Sequence, residues 1–248
     1  MSATPPPVLL VLAAGASTRL GEPKALATLG GRAALVGLLE RALGPATGLV
    51  EAVVVTGAHH DAIAAALDGV EPPAGARIRV VENAAWERGR TGSFAVGVRA
   101  AAGRDLVLSP IDVPLVATSS YARLVERWEA LGAPSRGWCA AALGSRDRTG
   151  VGGGDAEHGG DGCDGDDGGD GGDGGDTNGA PRFGHPVAIG RDLAARALDL
   201  GSDRPLRDLR GAADPLAHCL VDDPGVVEDL DTPDDLERLR RRAAAGLG

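Results

Sequence analysis

Residues 8–24 read VLLVLAAGASTRLGEPK, an unbroken apolar run that passes into a glycine-rich turn with basic residues. A short continuous run of aliphatic residues is typical of a strand that is buried on both faces, as in a parallel sheet. Open parallel sheets bind ligands at the carboxyl ends of their strands, where the N–H groups of a turn can hold anions. The stretch therefore predicts an α/β fold and a candidate anion-binding turn after its first strand.

The rest of the chain alternates strand-like apolar segments with segments of helical periodicity. This alternation implies right-handed crossovers and a mostly parallel sheet, that is, a Rossmann-like three-layer αβα sandwich. Residues 226–245 are expected to carry a strand end into a helix, with Thr232 as the N-cap and Pro233 in the first turn. The other predicted strands are 8–13, 51–57, 76–83, 105–109, 137–144 and 216–221, and the other predicted helices are 33–43, 61–67, 93–102, 121–131 and 191–200.

The acidity of the chain belongs to one glycine- and aspartate-rich segment. The formal net charge is −10, but residues 151–179 hold eight aspartates and one glutamate without any lysine or arginine. The remaining residues are nearly neutral, and no basic stripe for nucleic acid is evident among them. The segment has little apolar surface to bury, so we expect a disordered insertion at about 147–180 in a single domain of residues 1–248.

The cysteines and the N-terminal sequence bear on the cellular location. Cys139, Cys163 and Cys219 are odd in number and widely spaced, which favours reduced thiols and a cytoplasmic protein. The run VLLVLAAGA resembles the core of a signal peptide, but prolines at 5–7 stand where basic residues are needed. A buried first strand explains the same letters, and no stretch is long and apolar enough to span a membrane.

The turn after the first strand differs from the two commonest phosphate-binding loops. Gly15 and Gly21 are separated by five residues, whereas a Walker A loop has four and ends in Gly-Lys-Ser or Gly-Lys-Thr. The dinucleotide fingerprint G-x-G-x-x-G is absent as well. The turn instead reads L-A-A-G-x-S-x-R-x-G-x-x-K, a pattern met by Leu12, Ala13, Ala14, Gly15, Ser17, Arg19, Gly21 and Lys24.

This pattern resembles the signature of nucleotidyltransferases with the GT-A-like fold of the nucleotide-diphospho-sugar transferases, and most closely that of molybdenum cofactor cytidylyltransferases. The resemblance implies that these residues wrap the triphosphate of an NTP, with Arg19 and Lys24 on its phosphates. Positive charge suits the reaction because the attacked α-phosphorus is shielded by anionic oxygens and the departing pyrophosphate gains charge. Within the resemblance, Ala14 favours CTP, because the related guanylyltransferases carry glycine at that position.

A candidate metal site follows the predicted strand at 105–109. Asp112, in the stretch SPIDVPL (109–115), resembles the D-x-P-L element with which these enzymes hold Mg²⁺. Mg²⁺ prefers oxygen ligands and needs only one or two carboxylates besides phosphate and water. In VEDLDTPDD (227–235), the resemblance favours Asp231 as the second ligand. Asp229 is an alternative, and Asp231 is explained equally well as part of a helix cap.

Three further stretches are similar to elements of the same family. In NAAWERGRTGS (83–93), the resemblance places Gly89 and Ser93 near the base or ribose of the nucleotide. FGHPVAIG (183–190) resembles a G-H-P-V element near the second substrate, so His185 either contacts the acceptor or is a buried structural histidine. Residues 201–207 read GSDRPLR where the family usually has G-D-x-G-A-R, in a region that shapes the acceptor pocket.

Two adjacent histidines, His59 and His60, invite interpretation as metal ligands. Adjacent side chains diverge on a helix or a strand, so we interpret this pair as the solvated start of a helix.

The resemblance implies a Mg²⁺-dependent reaction in which the phosphate of molybdenum-loaded molybdopterin attacks the α-phosphorus of CTP and expels pyrophosphate. Arg19, Lys24 and Asp112 would act by positioning and charge, without a protein nucleophile. A molybdoenzyme that receives the product is the implied protein partner, and neither nucleic acid nor membrane is expected. Two alternatives stay open: a different phosphorylated acceptor, such as a sugar or polyol phosphate, and a non-catalytic chaperone for the molybdenum cofactor.

Overall fold

The structure, a computed structural model, describes residues 5–73, 75–144, 181–202 and 204–246. The insertion predicted at about 147–180 lies outside these residues. The strands are β1 (Val8–Ala13), β2 (Thr28–Leu29), β3 (Arg32–Ala33), β4 (Glu51–Thr56), β5 (Arg77–Glu82), β6 (Leu106–Leu108), β7 (Trp138–Leu143), β8 (Arg182–Ile189) and β9 (Leu216–Val221). The helices are α1 (Ala34–Ala42), α2 (His60–Leu67), α3 (Arg90–Ala100), α4 (Thr118–Ala130), α5 (Arg191–Ala195) and α6 (Pro233–Ala244).

Seven of these strands form the central sheet in the order β5-β4-β1-β6-β8-β7-β9. All neighbouring pairs are parallel except those of β8, which runs antiparallel to β6 and to β7. The predicted α/β class with a mostly parallel sheet is therefore confirmed. The short strands β2 and β3 form a separate hairpin that leads into α1.

Helices cover both faces of the sheet, because alternate side chains of β1 enter two different cores. Leu9 and Val11 pack with α1, α2, α4 and α6 on one face. Leu10 and Leu12 pack with α3 and α5 on the other. All six residues of β1 are buried, as the apolar run predicts for a strand between two layers of helices.

Close packing of α3 on β1 depends on Gly97. A Cβ atom at this position would lie 2.3 Å from Cδ1 of Leu10, far inside the contact distance of two carbon atoms. The absence of a side chain lets the helix approach the central strand. This approach brings the first turn of α3, which begins at Arg90, to the edge of the sheet where β1 ends.

The segment before α6 differs from the prediction. The sequence predicts a strand end at the start of residues 226–245, but Pro224–Val226 form a single 3₁₀ turn and the next element is α6, so that prediction is wrong. Pro224 lacks an N–H group for a ladder, and the carboxylate of Asp223 accepts a hydrogen bond from Gly225 N at 2.9 Å. Val226 is fully buried in the core, which accounts for its apolar character without a strand.

The predicted N-cap of α6 is present as a reciprocal capping box. Thr232 Oγ1 accepts a hydrogen bond from Asp235 N at 3.2 Å, and the Asp235 carboxylate accepts one from Thr232 N at 2.9 Å. Although burial opposes the charge of Asp235, its hydrogen bonds to Arg238 and Thr232 lower its pKa to about 2. The cap fixes where α6 begins. It therefore also fixes the position of Asp231, the residue directly before the N-cap.

Replacing Thr232 by alanine is expected to lower the free energy of unfolding by about 1 kcal/mol, the usual loss for an N-cap side chain. Urea unfolding followed by circular dichroism measures this change. Ser119→Ala, at an exposed position of α4, is the matched control and should leave the midpoint unchanged. Equal midpoints for Thr232→Ala and the control would show that the box does not stabilise the helix.

Candidate active site

The glycine-rich turn is closed by hydrogen bonds that begin and end within it. The carbonyl oxygen of Ser17 accepts hydrogen bonds from Leu20 N at 3.1 Å and Gly21 N at 3.2 Å. Ser17 Oγ accepts one from Lys24 N at 3.1 Å, and Ser17 has a positive φ of 54°. These bonds fold the turn back on itself, so that Lys24 returns to the carboxyl end of β1.

Contacts with the segment after β4 hold the other side of this turn. Ala58 N donates a hydrogen bond to Ala14 O at 3.1 Å, and His59 Nε2 lies 3.1 Å from Ala16 O. Gly57 permits this approach, because a Cβ atom there would lie 2.7 Å from Ala14 O. The turn is therefore attached to two neighbouring strands of the sheet.

Lys24 lies between two carboxylates. Its Nζ atom donates a hydrogen bond to Asp112 Oδ1 at 2.8 Å and another to Asp231 Oδ1. Arg19 Nη2 lies 2.9 Å from Asp231 Oδ2, and Arg90 Nη2 lies 2.8 Å from Asp112 Oδ2. Three cationic groups and two carboxylates thus form one cluster at the sheet edge, and we call it the charge cluster.

The pKa values in the charge cluster follow from its close ion pairs. Burial alone would lower the pKa of Lys24, but Asp112 and Asp231 outweigh it and raise that pKa above its usual value. Burial would raise the pKa of Asp231, but Lys24 and then Arg19 lower it below its usual value. Lys24 and Asp231 are therefore both fully charged at neutral pH, because the charge of each stabilises the charged form of the other.

Backbone pairing brings Asp112 and Asp231 together. Ser109 N and Ile111 N donate hydrogen bonds to carbonyl oxygens of β1 at 2.9 and 3.1 Å, so the chain after β6 continues alongside β1. Leu230 N then donates to Asp112 O at 2.7 Å. This bond places the residues next to Leu230 beside Asp112, although they are far apart in the sequence.

Asp229 and Asp231 lie on different sides of this junction. Asp231 belongs to the charge cluster and lines the cavity of the glycine-rich turn, whereas Asp229 lines the neighbouring cavity. Burial raises the pKa of Asp229 above its usual value, and the negative charges of Asp231 and Asp112 raise it further. The structure thus separates the two aspartates that the sequence leaves as alternatives.

A cavity of about 340 Å³ opens above the charge cluster, and we call it the first cavity. Its wall includes the residues predicted for the nucleotide and metal sites, except Gly21 of the glycine-rich turn and the alternative ligand Asp229. Ser93, one of these residues, is buried and accepts a hydrogen bond from Asn83 Nδ2 at 3.0 Å. The predicted residues in its wall are Leu12, Ala13, Ala14, Gly15, Ser17, Arg19, Lys24, Gly89, Ser93, Asp112 and Asp231.

His185 lies in a second cavity of about 750 Å³, which adjoins the first and shares Leu12, Gly89, Arg90 and Pro110 with it. Its Nδ1 atom is buried and has no hydrogen-bond partner among the described residues. Burial, followed by the nearby charge of Arg90, lowers the pKa of His185 to about 4, so the ring is neutral at physiological pH. The structure therefore places His185 near Arg90 of the charge cluster but outside the first cavity, in a separate candidate binding site.

Sequence reasoning missed two residues of the first cavity. Arg90 lines both cavities and pairs with Asp112, and its only sequence signal is its place at the start of α3. His59 was predicted to be solvated, but it is partly buried, lines the first cavity and contacts Ala16 O. That part of the prediction is wrong, because the glycine-rich turn folds over the start of α2.

The sequence of the chain matches a known protein family. The family model of the MobA-like NTP transferase domain matches residues 9–217. The chain belongs to this family. Membership confirms the family resemblance of the glycine-rich turn, and it makes the protein a nucleotidyltransferase that binds nucleotides.

Several solved structures have the same fold and match nearly the whole length of the chain. Rv0371c from Mycobacterium tuberculosis is 23% identical with a TM-score of 0.65, and the match covers 95% of this chain and 98% of that one. A nucleotidyl transferase from Methanothermobacter (Mth528) is 22% identical with a TM-score of 0.67, covering 96% and 98%. A 4-diphosphocytidyl-2C-methyl-D-erythritol synthase from Anaerococcus prevotii is 13% identical with a TM-score of 0.60, covering 95% and 97%. These matches show the fold alone.

Comparison with curated proteins yields no significant match to the sequence. In the part of the chain that the structure describes, the helices are too short or too polar to cross a membrane.

Proposed function

We propose that this nucleotidyltransferase transfers CMP from CTP to the phosphate of a molybdopterin-type acceptor, with Mg²⁺ as its cofactor and pyrophosphate as the second product. The observation that carries the proposal is the charge cluster, in which Lys24 lies between Asp112 and Asp231 beneath the glycine-rich turn. Arg90 of the cluster lines both cavities, so one cavity is available for CTP and the adjoining one for the acceptor.

The two carboxylates fit a divalent cation. Asp112 and Asp231 already converge on one positive charge, the ammonium group of Lys24, in a cavity with room for phosphate oxygens. No group of three or more potential ligand side chains is arranged for a metal among the described residues, so phosphate and water would complete the coordination. Bound there, Mg²⁺ would supply positive charge that neutralises the triphosphate. Rv0371c, which has the same fold, has been crystallised in complex with manganese.

The residues of the first cavity bind the triphosphate and orient it for attack. The turn residues Ala14 and Gly15 approach the phosphates with their backbone, while Arg19 and Lys24 neutralise the charge that gathers on the leaving pyrophosphate. An oxygen of the acceptor phosphate attacks the α-phosphorus in line. The bond between the α-phosphorus and the bridging oxygen breaks, and its electron pair leaves with pyrophosphate.

Two observations favour CTP as the donor. Ala14 occupies the position at which the related guanylyltransferases carry glycine. The structure of similar fold from Anaerococcus prevotii is named as a synthase of a diphosphocytidyl product. Within the first cavity, Gly89 and Ser93 are the residues that we assign to the base or ribose, because they line the end formed by the start of α3.

A polyol phosphate as acceptor is the second candidate function. The same structure is named for a cytidylylated methylerythritol, which is a polyol. On either proposal, His185 lies on the acceptor side and its neutral ring is available as a hydrogen-bond donor or acceptor. A product that carries a cytidylylated molybdenum cofactor would then pass to a molybdoenzyme.

Pyrophosphate release from each of the four NTPs is the direct test. With Mg²⁺ and molybdenum-loaded molybdopterin, we expect release from CTP to exceed release from the other three NTPs by about tenfold or more, and to cease without acceptor. A parallel reaction with a polyol phosphate separates the two acceptors. Preference for GTP would contradict the assignment of the donor. Acceptor binding without any pyrophosphate release would support a non-catalytic chaperone instead.

A further inference from the structure

We propose that the second cavity selects acceptors that carry a further anionic group in addition to the phosphate that reacts. This inference rests on the proposed function, because it names the substrate class of the acceptor site. The observation that carries it is an excess of guanidinium groups in the cavity wall. The wall holds six arginines and a single acidic residue, Asp229. The arginines are Arg88, Arg90, Arg182, Arg204, Arg207 and Arg210.

Protein carboxylates compensate only part of this charge. Arg90 pairs with Asp112 at 2.8 Å, and Arg204 pairs with Asp208 at 2.7 Å. By contrast, Arg88, Arg182 and Arg210 form no ion pair with any residue that the structure describes. Guanidinium groups bind phosphate and carboxylate through paired hydrogen bonds, so uncompensated arginines around a cavity indicate an anionic ligand.

The position of Arg90 shows which end of the second cavity faces the reaction. Arg90 lines both cavities and contacts Asp112, so the reacting phosphate of the acceptor lies at this end. Arg182 and Arg210, like the other arginines except Arg90, line only the second cavity. Arg182 begins β8, and Arg210 belongs to the 3₁₀ helix Leu206–Ala212. A single phosphate bound at Arg90 leaves these two arginines for another anionic group.

The segment that carries Arg204 is attached to the nucleotide side of the molecule. Thr91 Oγ1, in the first turn of α3, donates a hydrogen bond to Arg204 O. Part of the cavity wall is apolar and includes Trp138, Phe183 and Leu206. Phe183 is 56% exposed. The cavity therefore offers both apolar surface and guanidinium groups, which suits a molecule with an apolar or ring-shaped body and two anionic groups better than a polyol with one phosphate.

Equilibrium binding of two matched probes tests the proposal without turnover. Fructose 1,6-bisphosphate and fructose 6-phosphate differ only in one phosphate. Each is titrated calorimetrically into the full chain with Mg²⁺ and a non-hydrolysable α,β-methylene analogue of CTP, which occupies the first cavity. The bisphosphate is expected to bind about tenfold to a hundredfold more tightly, because the added phosphate gains charge-assisted hydrogen bonds. Added salt should reduce this preference.

Substitution of Arg182 and Arg210, two of the arginines that line only the second cavity, locates the effect. In the variant with Arg182→Gln and Arg210→Gln, the ratio of the two dissociation constants should fall close to one. Arg99→Gln, on the exposed side of α3 and outside both cavities, is the matched control and should keep the wild-type ratio. Equal binding of the two probes to the wild type, or an unchanged ratio in the double variant, would overturn the inference.

The binding experiment and the test of the proposed function can fail independently of each other. If CTP supports no pyrophosphate release but the bisphosphate preference persists and depends on the two arginines, the reaction is wrong and the anionic site stands. If CTP is turned over but the preference is absent, the reaction stands and the inference fails. Should the CTP analogue not bind, the same titrations without it still compare the wild type with the double variant.

Discussion

Replacing Asp112 by asparagine is expected to lower kcat for pyrophosphate release from CTP by about a thousandfold or more. Asparagine keeps the size of the side chain but removes the charge that would hold the cation. A metal site contributes several kcal/mol to the stabilisation of developing charge, and about 1.4 kcal/mol corresponds to a tenfold change in rate. Because both carboxylate oxygens of Asp112 contact cationic groups, Lys24 and Arg90, the substitution also loosens the positioning of these side chains.

The fold is expected to survive this substitution. The link from Leu230 N to Asp112 O uses the backbone and is therefore unchanged. Steady-state release of pyrophosphate with saturating CTP and acceptor gives kcat, and titration with Mn²⁺ gives the affinity for the cation. Asp199→Asn, at an exposed position outside both cavities, is the matched control and should retain wild-type values for both. Turnover of Asp112→Asn at the wild-type rate would remove Asp112 from the metal site.

The parts of the site that the sequence predicts are those built from one continuous segment. The apolar run of β1 and the spacing of the glycine-rich turn are local features, and they place the turn at the carboxyl end of the central strand. The predicted nucleotide residues of this turn line the first cavity for this reason. Asp112 is equally accessible to sequence reasoning, because it follows β6, the strand next to β1.

The choice between Asp229 and Asp231 depends on contacts that the sequence does not reveal. Asp231 is 207 positions away from Lys24 in the chain, and both aspartates flank Leu230. Leu230 is fully buried and bonded through its N–H group to Asp112 O. Because Leu230 is held in this way, Asp231 on one side of it lines the first cavity and Asp229 on the other side lines the second. The sequence also allowed Asp231 to be part of the helix cap. In the structure, Thr232 and Asp235 form the cap instead.

The acceptor side was the least predictable part of the molecule. The sequence shows that residues 201–207 depart from the family pattern, but it does not show what these residues face. The arginines of the second cavity come from separate segments, around Arg90, at the start of β8 and near the 3₁₀ helix Leu206–Ala212. Their convergence depends on β8 running antiparallel between β6 and β7, which places its first residues at the carboxyl edge of the parallel strands.

Replacing Lys24 by methionine is expected to lower kcat/KM for CTP by about a hundredfold to a thousandfold. Methionine has a similar length but cannot neutralise phosphate oxygens, and loss of one well-placed donor to developing charge has costs of this size. Steady-state rates over a range of CTP concentrations measure the change. Arg99→Met, on the exposed side of α3, is the matched control and should leave kcat/KM unchanged.

The same substitution should change how a divalent cation affects stability. In the wild type, the ammonium group of Lys24 occupies the space between Asp112 and Asp231, so a cation that binds both carboxylates must displace it. Without the ammonium group, the two carboxylates repel each other, and the metal-free variant is expected to melt at a lower temperature than the wild type. Mn²⁺ should then raise the melting temperature of Lys24→Met more than that of the wild type. An equal rise in both proteins would place the cation away from Asp112 and Asp231.

Chemical labelling provides a test of Lys24 that needs neither a variant nor turnover. Lys24 is the only lysine in the chain, so an acylating reagent for amines has one side-chain target. Only the neutral amine reacts, and the raised pKa of Lys24 should make its acylation slow in the free protein. CTP with Mg²⁺ should slow it further, because phosphate oxygens then contact the ammonium group, whereas cytidine lacks phosphates and should leave the rate unchanged. Peptide mass mapping measures the labelled fraction, and equal labelling with CTP and cytidine would remove Lys24 from the phosphate site.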